Sequence, residues 1–476
     1  MSRNVRFTFG LFICLFVVLA FGPSWAYSTA LDDYVAQPDP SYKWNVVNTS
    51  SGPGFTYFTL NMISQTWRSD QEVNRTQWQH WIRIAVPMQV NTDTALLVIS
   101  GGSNGNSPPE EVEKNLALVA LVTKSVVAVV EMIPNEPLTF TGETRQRSED
   151  AIIAYSWDKY LRGGDESWIL QLPMTKSAVR AMDAVQAFCK TQKNVPAVKR
   201  FVVAGASKRG WTTWLTAAVD KRVRAIMPIV IDMLNTEKSF RHHFAAYGFW
   251  APAVHDYEEM GIFNWFGKPR MDSLLSIVDP YTYRKRFKMP KFILNSAGDD
   301  FFLGDSSQFY FDDLSGEKHL RYVPNTNHSL GGSDVIESLA AYYSFILEDK
   351  KLPRFEWSIQ PNGSIRVKPI DKPIEVNVWQ ASNAEARDFR LTTIGKTWTA
   401  SKLTAQQDGY YVANLEKPQQ GWKAFFVELL YDSGIFDPSQ PGKTLNQKFT
   451  TAISVVPDIL PHAGKLEEIS KANSQN

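Results

Sequence analysis

The stretch FVVAGASKRG, residues 201–210, decides the fold that we expect for this chain. Its first four residues form a short apolar run that predicts a buried strand, and residues 211–219 continue with the spacing of a helix. Ser207 therefore lies on a sharp turn from strand to helix, where a serine hydroxyl is exposed above a sheet and small neighbours are needed. Arg209 occupies the place of the second glycine of the standard Gly-x-Ser-x-Gly pattern, and the glycine follows one place later. The stretch indicates either a nucleophile elbow or an ordinary strand-to-helix turn with an incidental serine.

Apolar runs of strand length surround this turn and alternate with helical patterns. Strands are predicted at residues 55–67, 78–88, 95–100, 125–130, 200–204, 224–231, 291–295 and 319–323. Helices are predicted at residues 173–190, 211–219 and 335–347. Apolar strands alternating with helices indicate an α/β fold with a mostly parallel sheet that helices cover on both faces. In such sheets ligands bind beyond the carboxyl ends of the strands, so the residues that follow each strand are the candidates for a site.

A carboxylate and a histidine follow the last two predicted strands of this sheet. A serine nucleophile needs a base, and the base needs a carboxylate that orients it. Asp299 and Asp300 follow the second-last strand, and His328 follows the last one. The order Ser, Asp, His along the chain is that of the α/β-hydrolase fold. The pattern predicts Ser207, Asp299 and His328 as catalytic residues; spacing does not decide between Asp299 and Asp300, and we favour Asp299, with Asp300 capping the turn.

Backbone donors for the oxyanion of such a reaction are predicted on two segments. One donor is the N–H of Lys208, directly after the nucleophile. The other is expected from the loop after the strand at 95–100, at Gly101, Gly102 or Ser103, because glycine lets the backbone approach a substrate closely. A phosphate-binding role for this loop is not favoured, since no Gly-Lys-Ser/Thr sequence follows it.

A long connection at residues 233–289 is rich in aromatic residues and is predicted to form a cap over the site. Trp250 within it is expected to line an apolar substrate pocket. Glu136, which follows the strand at 125–130, either holds the amine of a substrate or caps a turn. The aromatic cap and Glu136 favour a peptide-like substrate.

Neither metal nor nucleic acid is indicated. The cap contains His242, His243 and His255, but adjacent positions fall on different faces of a helix and no further ligand pair accompanies them. We therefore expect no metal and no cofactor. The net charge is +1, with 50 Lys and Arg against 49 Asp and Glu, which gives no electrostatic basis for binding nucleic acid.

The amino terminus has the composition of an export signal. Residues 1–26 place Arg3 and Arg6 before an apolar run at 7–21 and end in small residues. We expect cleavage after Ala26 and a mature protein in the periplasm or outside the cell; an uncleaved anchor is the alternative. No later segment reaches the roughly 20 apolar residues of a membrane helix, so stable membrane insertion is not expected after cleavage.

The carboxyl-terminal part changes to short strands separated by turn residues, among them one at residues 389–391. Several such strands within residues 353–457 predict an all-β sandwich domain. A hydrolase domain is then expected at residues 27–352, with the cap inserted in it, and a polar tail at residues 458–476.

Five segments together resemble the PhoPQ-activated pathogenicity-related protein family, which includes the autocrine proliferation repressor proteins. They are ISGGS at 99–103, IPNEP at 133–137, GASKRGW at 205–211, DPYTY at 279–283 and NSAGDDFF at 295–302. The resemblance covers about residues 30–455, and the shifted glycine after Arg209 is a feature of it. It implies an α/β-hydrolase fold, export and, in bacteria, a link to virulence and to resistance to antimicrobial peptides. Relatives of the prolyl peptidase kind carry the acid on the first aspartate of such a turn, which again favours Asp299.

The sequence therefore predicts an exported serine hydrolase that cleaves an ester or a peptide-like amide bond through an acyl-enzyme. A secreted signalling or binding protein that uses a hydrolase scaffold with little or no catalysis is the alternative, since a fold does not guarantee an activity. The oligomeric state is left open.

Overall fold

A computed structural model describes residues 28–110, 113–193, 195–436 and 442–465. The predicted export signal at residues 1–26 lies outside these ranges, and so does most of the predicted polar tail, from residue 466 onward. Within the described ranges, no helix combines the length and the apolar character that crossing a bilayer requires.

The strands within the described ranges form one large sheet and one small sheet. In chain order they are β1 (Lys43–Gly52), β2 (Phe55–Thr66), β3 (Gln77–Pro87), β4 (Thr94–Ile99), β5 (Val127–Val130), β6 (Arg200–Ala206), β7 (Val223–Ile229), β8 (Lys291–Ser296), β9 (Lys318–Val323), β10 (Phe355–Ile359), β11 (Ile365–Pro369), β12 (Glu375–Asn383), β13 (Thr399–Lys402), β14 (Tyr411–Ala413), β15 (Trp422–Phe436), β16 (Thr444–Thr450) and β17 (Ser454–Val456).

Helices connect the strands of the large sheet and cover its faces. In chain order the α-helices of the described residues are α1 (Ala30–Ala36), α2 (Lys114–Thr123), α3 (Asp150–Leu161), α4 (Gln171–Thr191), α5 (Lys208–Val219), α6 (Thr236–Tyr247), α7 (His255–Glu259), α8 (Pro269–Val278), α9 (Val335–Leu347) and α10 (Leu391–Ile394). Short 3-10 turns occur at Glu166–Trp168, Pro252–Val254, Ile262–Trp265, Pro280–Arg286 and Ser306–Phe309.

The large sheet has the strand order of an α/β-hydrolase. From β2 onward its strands lie in the order β2-β3-β5-β4-β6-β7-β8-β9. Strand β3 is antiparallel to both of its neighbours, and pairing is parallel from β5 through to β9. Every residue of Val127–Val130 is buried, as expected for a parallel strand that is covered on both faces. The predicted α/β-hydrolase fold is confirmed.

The carboxyl ends of the parallel strands meet at one edge of the sheet, which is where ligands bind in such folds. Strands β4, β6, β8 and β9 end directly before the segments on which the sequence places the candidate site residues. The connection from β7 to β8 contains α6, α7 and α8, and its side chains line a pocket together with Ser207. This connection therefore covers the edge that carries the candidate site.

The carboxyl-terminal strands extend the large sheet rather than closing only on one another. Strand β16 pairs with β9 through Thr450 and Leu320, and β15, β12 and β13 continue from β16. Strands β10, β11 and β14 form the separate three-stranded sheet. Because β9 ends the parallel part of the sheet, β16 covers backbone groups that would otherwise form an open edge. A boundary between two domains at residue 353 stays a prediction.

One predicted strand, at residues 389–391, is wrong. Phe389 and Arg390 lie in the connection before helix α10, which begins at Leu391. Asp388 Oδ1 accepts the backbone N–H of Arg390 at 3.1 Å, and Arg390 Nε donates to the same oxygen at 3.0 Å. An aspartate that bonds the backbone two residues later closes a local turn, which competes with pairing in a sheet.

Candidate active site

Ser207 joins β6 to α5 in a backbone conformation that is strained for a residue with a side chain. Its φ is 57° and its ψ is −129°, and its N–H donates to the carbonyl of Ile229 at 2.8 Å. Glycines let the strand and the helix come close on either side. A Cβ at Gly205 would lie 2.5 Å from the carbonyl oxygen of Arg209, and a Cβ at Gly210 would lie 2.9 Å from that of Ile229. The turn has the geometry of a nucleophile elbow, and the glycine that it needs is at position 210.

Arg209 replaces the expected glycine and ties the elbow to neighbouring loops. Its buried Nε donates to the carbonyl of Ile133 at 2.5 Å. Its guanidinium forms ion pairs with Glu136 at 3.1 Å and with Glu149 at 2.7 Å. A Cβ added at Gly101 would lie 2.7 Å from Nη2 of Arg209, so the loop after β4 also packs against the guanidinium. The shifted glycine therefore has a structural reason, because the arginine holds the loops after β4 and β5 against the elbow.

Lys208 begins α5, so its backbone N–H has no acceptor within the helix. Such an N–H at a helix amino terminus is suited to bind an anion. The side chain is buried, and Nζ lies 2.6 Å from Glu149 and 2.9 Å from Asp150. Burial disfavours the charged form, but Asp150 and Glu149 outweigh it and raise the pKa of Lys208. The ammonium is thereby fixed inside the protein while the backbone N–H stays available.

The glycine-rich loop after β4 lies beside the elbow. Strands β4 and β6 are parallel neighbours, with Ile99 opposite Gly205, so both segments leave the sheet at the same place. The loop contains Gly101, Gly102 and Ser103, of which Gly102 has a φ of 139° and Ser103 is exposed. The predicted oxyanion donors therefore lie on two adjacent segments.

His328 is held by Asp299. Its Nδ1 lies 2.9 Å from each carboxylate oxygen of Asp299, which is buried. Asp299 Oδ1 also accepts the N–H of Phe301 at 2.8 Å. Asp300 lies outside this pair and accepts the hydroxyl of Thr392 at 3.3 Å. Of the two aspartates that the sequence left open, the structure places Asp299 against the histidine.

The other ring nitrogen of His328 is an acceptor. A neutral histidine that donates its Nδ1–H to a carboxylate carries the lone pair on Nε2. This Nε2 is buried and has no hydrogen-bond partner among the described residues, so Ser207 is not bonded to it in this arrangement. The ring packs against Phe301, with 4.3 Å between the ring centroids. A buried acceptor without a donor is unfavourable, which marks Nε2 as a position for an incoming hydroxyl or water.

Comparison with known proteins identifies the family. The profile of the PhoPQ-activated pathogenicity-related proteins matches residues 31–390. The chain belongs to the PhoPQ-activated pathogenicity-related protein family. The autocrine proliferation repressor protein A of Dictyostelium discoideum is 39% identical over 459 residues, which cover 91% of this chain and 92% of that protein. The predicted family resemblance is confirmed.

Two solved structures are similar in part to this PhoPQ-related protein. The acetyl xylan esterase from Paenibacillus sp. R4 gives a TM-score of 0.48 at 14% identity, over 66% of this chain and 91% of that chain. The acylaminoacyl peptidase of Pyrococcus horikoshii gives a TM-score of 0.40 at 12% identity, over 66% of this chain and 57% of that chain.

In this PhoPQ-related protein an apolar pocket lies between Ser207 and the cap. Its aromatic walls include Trp157, Trp211, Phe240, Phe263, Phe266 and Phe301. Phe301 also contacts the ring of His328, so it connects the histidine to the pocket that Ser207 borders. Charged side chains in the lining are Asp150 and Lys208, which pair with each other, and the hydroxyl of Tyr257 donates to Asp150 at 2.9 Å. The pocket is therefore apolar with one neutralised polar end.

Glu136 does not line this pocket, which corrects the predicted role as a holder of a substrate amine. The residue is buried, pairs with Arg209, and accepts the backbone N–H of Glu149 at 2.5 Å. Burial, together with the nearby Glu149 carboxylate, raises the pKa of Glu136 to about 7. The second predicted role, support of a turn, agrees with these contacts.

Trp250 forms a layer behind the pocket wall, which corrects its predicted place in the lining. It stacks on Phe263 with 3.8 Å between ring centroids and 21° between ring planes. Phe263, on the other side of this stack, is the residue that lines the pocket. Trp250 thus supports the wall.

The cap histidines have separate environments. His242 Nε2 lies 3.0 Å from Asp305, His243 Nε2 accepts the N–H of Ala251 at 3.0 Å, and His255 is exposed. Burial lowers the pKa of His243 to about 3. Across the part of the chain that the structure describes, no three side chains of His, Cys, Asp or Glu come together as a metal site.

Three residues of the pocket were not found from the sequence. Asp150 belongs to α3, which no motif or spacing connects to Ser207, and Tyr257 belongs to α7, inside the predicted cap, where the sequence does not distinguish it from the other aromatic residues. Phe301 had a usable signal, because it follows Asp299 by two residues on the same turn.

Proposed function

We propose that this protein is a serine hydrolase in which Ser207 is the nucleophile, His328 is the base and Asp299 orients the base. One observation carries the proposal. His328 donates from Nδ1 to Asp299 at 2.9 Å and leaves Nε2 buried and unbonded within the described chain, at the sheet edge where the elbow places Ser207. A neutral imidazole in this tautomer is the form that removes a proton from a serine hydroxyl.

The reaction follows from these positions. Ser207 Oγ moves into hydrogen-bond reach of His328 Nε2, gives up its proton to it and attacks the carbonyl carbon of the substrate; such contacts are often long before substrate binds. The backbone N–H of Lys208 and the loop at Gly101 stabilise the oxyanion. The imidazolium then returns its proton to the leaving group, which leaves an acyl group on Ser207. A water molecule activated by the same histidine releases the acid and restores the serine.

The pocket favours an uncharged, apolar group next to the scissile bond. Aromatic side chains form half of its lining, and Asp150 and Lys208 neutralise each other at 2.9 Å. Glu136 is paired internally with Arg209, so it offers no anchor for a substrate amine. We therefore propose an ester, or an amide, whose acyl or leaving group is apolar.

Hydrolysis of nitrophenyl esters with acyl chains of increasing length tests this function. We expect turnover by the wild type and a loss of at least about 1,000-fold in Ser207→Ala, because the nucleophile and its base act as a unit. Ser273→Ala is the matched control, since Ser273 is exposed on α8 and its hydroxyl donates to the carbonyl of Pro269 at 3.0 Å. A Ser207→Ala variant that hydrolyses these esters as fast as the wild type contradicts the proposal.

A signalling function on the same scaffold is the second candidate. It is favoured by the 39% identical relative, which bears the name of an autocrine repressor of proliferation. The variant Ser207→Ala distinguishes the two candidate functions. If the protein acts as a hydrolase, the variant has no effect on cells, and if it acts by binding, the variant has the effect of the wild type. Retention of a biological effect by folded Ser207→Ala supports signalling without catalysis.

We further propose that the protein acts after export, in the periplasm or outside the cell. The basis is the composition of residues 1–26 alone. Amino-terminal sequencing of the exported protein should begin at Tyr27, and retention of the full chain in the cytoplasm contradicts this proposal. A link to virulence or to resistance to antimicrobial peptides stays a prediction from the family resemblance.

A further inference from the structure

The connection between β12 and β13, residues 384–398, contacts the turn that carries Asp299. The backbone N–H of Leu391 donates to the carbonyl of Gly298 at 3.0 Å, directly before the acid. The neighbouring Thr392 donates its hydroxyl to Asp300, the residue directly after the acid. The carboxyl-terminal region therefore holds the acid turn by two bonds from successive residues.

The same connection holds the turn that carries His328. Asn325, three residues before the histidine, donates from Nδ2 to the carbonyl of Trp398 at 2.9 Å. Its Oδ1 accepts the N–H of Trp398 at 3.0 Å. Asn325 has a φ of 57°, a left-handed conformation that asparagine adopts more readily than most residues. One side-chain amide thus satisfies both backbone groups of Trp398.

The acid turn and the histidine turn are also bonded to each other where the connection contacts them. Ser296 Oγ donates to the carbonyl of Thr326 at 2.7 Å and accepts the N–H of Gly298 at 3.1 Å. A Cβ at Gly298 would lie 2.7 Å from the oxygen of Thr326 and 3.0 Å from the nitrogen of Leu391. The three segments meet at Gly298 with no space for a further atom.

Arg387 anchors the connection in the interior. Its guanidinium donates to Asp305 Oδ2 at 2.6 Å, and the side chains of Arg387 and Asp305 are 2% and 6% exposed. Asp305 also contacts His242 of the cap helix α6. A buried, doubly paired carboxylate of this kind fixes the connection relative to the acid turn and the cap.

We propose that residues 384–398 position the acid and the base of the site, and that Asn325 is the positioning residue through which they fix the histidine turn. The proposal rests on the proposed function, because it concerns the same Asp299 and His328. Both groups lie on turns, and a base that is held loosely loses the orientation that the reaction needs. The carboxyl-terminal strands thereby gain a role, which is to carry a connection that completes the support of the site.

The test compares Asn325→Gly with Asn362→Gly in the full chain. Glycine keeps the left-handed backbone at position 325 and removes both bonds to Trp398. Asn362 is a matched control from the same region, because among the described residues its side chain bonds only its own turn, accepting from the N–H of Ser364 at 3.1 Å and from the Ser364 hydroxyl at 2.7 Å. Two quantities are measured: the rate of labelling by a fluorophosphonate probe, and the nitrogen NMR signals of the ring of His328 in protein with ¹⁵N-labelled histidine, assigned with His328→Gln.

We expect Asn325→Gly to be labelled about 10-fold to 100-fold more slowly than the wild type, because a displacement of the His328 ring on the order of 1 Å is enough to cause such a loss. Its His328 signals should change from a single Nδ1–H tautomer to a mixture, while Asn362→Gly keeps both wild-type values. If Asn325→Gly does not fold, Asn325→Asp takes its place, because it keeps the acceptor for the Trp398 N–H and loses only the donor.

Three results overturn the positioning role. One is a folded variant at position 325 with wild-type labelling and wild-type His328 signals. Another is slow labelling with unchanged signals, and the third is an equal loss in Asn362→Gly. A wild type that takes no label contradicts the proposed function instead, and the NMR comparison still tests the positioning.

Discussion

Asp299→Asn should remove most of the reactivity of the nucleophile while the fold is kept. In the wild type Asp299 Oδ1 accepts the N–H of Phe301 at 2.8 Å and that of Phe302 at 3.4 Å, and both oxygens face His328 Nδ1 at 2.9 Å. An asparagine keeps its carbonyl oxygen towards the two backbone donors, so its NH₂ group turns towards the histidine. Nδ1 must then accept a hydrogen bond from this NH₂ group, so the neutral ring carries its hydrogen on Nε2, where the lone pair of the base is needed.

The magnitude follows from the wrong tautomer. Replacing the orienting carboxylate of a Ser-His-Asp triad by an amide lowers the rate about 10⁴-fold, which corresponds to about 5 kcal/mol of transition-state stabilisation. The assay is the second-order rate of fluorophosphonate labelling, with circular dichroism to confirm folding. Asp300→Asn is the matched control, because Asp300 bonds only Thr392 among the described residues and should label at nearly the wild-type rate. Labelling of Asp299→Asn within threefold of the wild-type rate, or an equal loss in Asp300→Asn, contradicts the role of Asp299 as the residue that orients His328.

Three further predictions concern stability. Arg209→Ala leaves the buried Glu136 without its ion-pair partner and should lower the free energy of unfolding by about 3–5 kcal/mol in urea titration. Arg366→Ala breaks an exposed pair and should cost at most about 1 kcal/mol, so equal losses in the two variants contradict this prediction. Gly298→Ala should cost about 1–3 kcal/mol in the same titration, because its Cβ lies 2.7 Å from a backbone oxygen, while Gly464→Ala, with open space around it, should be neutral. Burial raises the pKa of Asp232, between two tyrosine hydroxyls, to about 8, so the native chain holds a proton that the unfolded chain releases near pH 4. The contribution of Asp232 to the free energy of unfolding is present below pH 4 and is lost as the pH rises to about 8, at up to about 1.4 kcal/mol per pH unit. If Asp232→Asn unfolds with the same pH dependence as the wild type, this prediction is contradicted.

The sequence was sufficient for the architecture of the parallel sheet, because its strands are buried on both faces and read as short apolar runs. The helix predicted at residues 335–347 has those bounds in the structure. The carboxyl-terminal region was harder, since alternation of apolar residues shows that a strand exists and does not show which strand it pairs with. The contact of Thr450 with Leu320 joins segments far apart in sequence, which no local pattern reports.

The candidate site was predictable where chemistry depends on position along a strand. Ser207 and His328 follow their strands as the order of the fold requires, and Asp299 needed the structure to distinguish it from its neighbour. Of the two roles left open for Glu136 the contacts agree with the turn, and Trp250 lies behind the pocket wall rather than in its lining. The sequence shows that Glu136 follows a strand and that Trp250 lies in the cap. It does not show that Arg209 pairs with Glu136, or that Phe263 lies between Trp250 and the pocket.

Mass spectrometry of the fluorophosphonate-treated protein shows directly whether Ser207 is the nucleophile. We expect one adduct per chain, located on the peptide that contains Ser207, and no adduct in folded Ser207→Ala. An intact, folded protein that gains no mass, or an adduct on a different residue that persists in Ser207→Ala, would show that Ser207 is not an activated nucleophile.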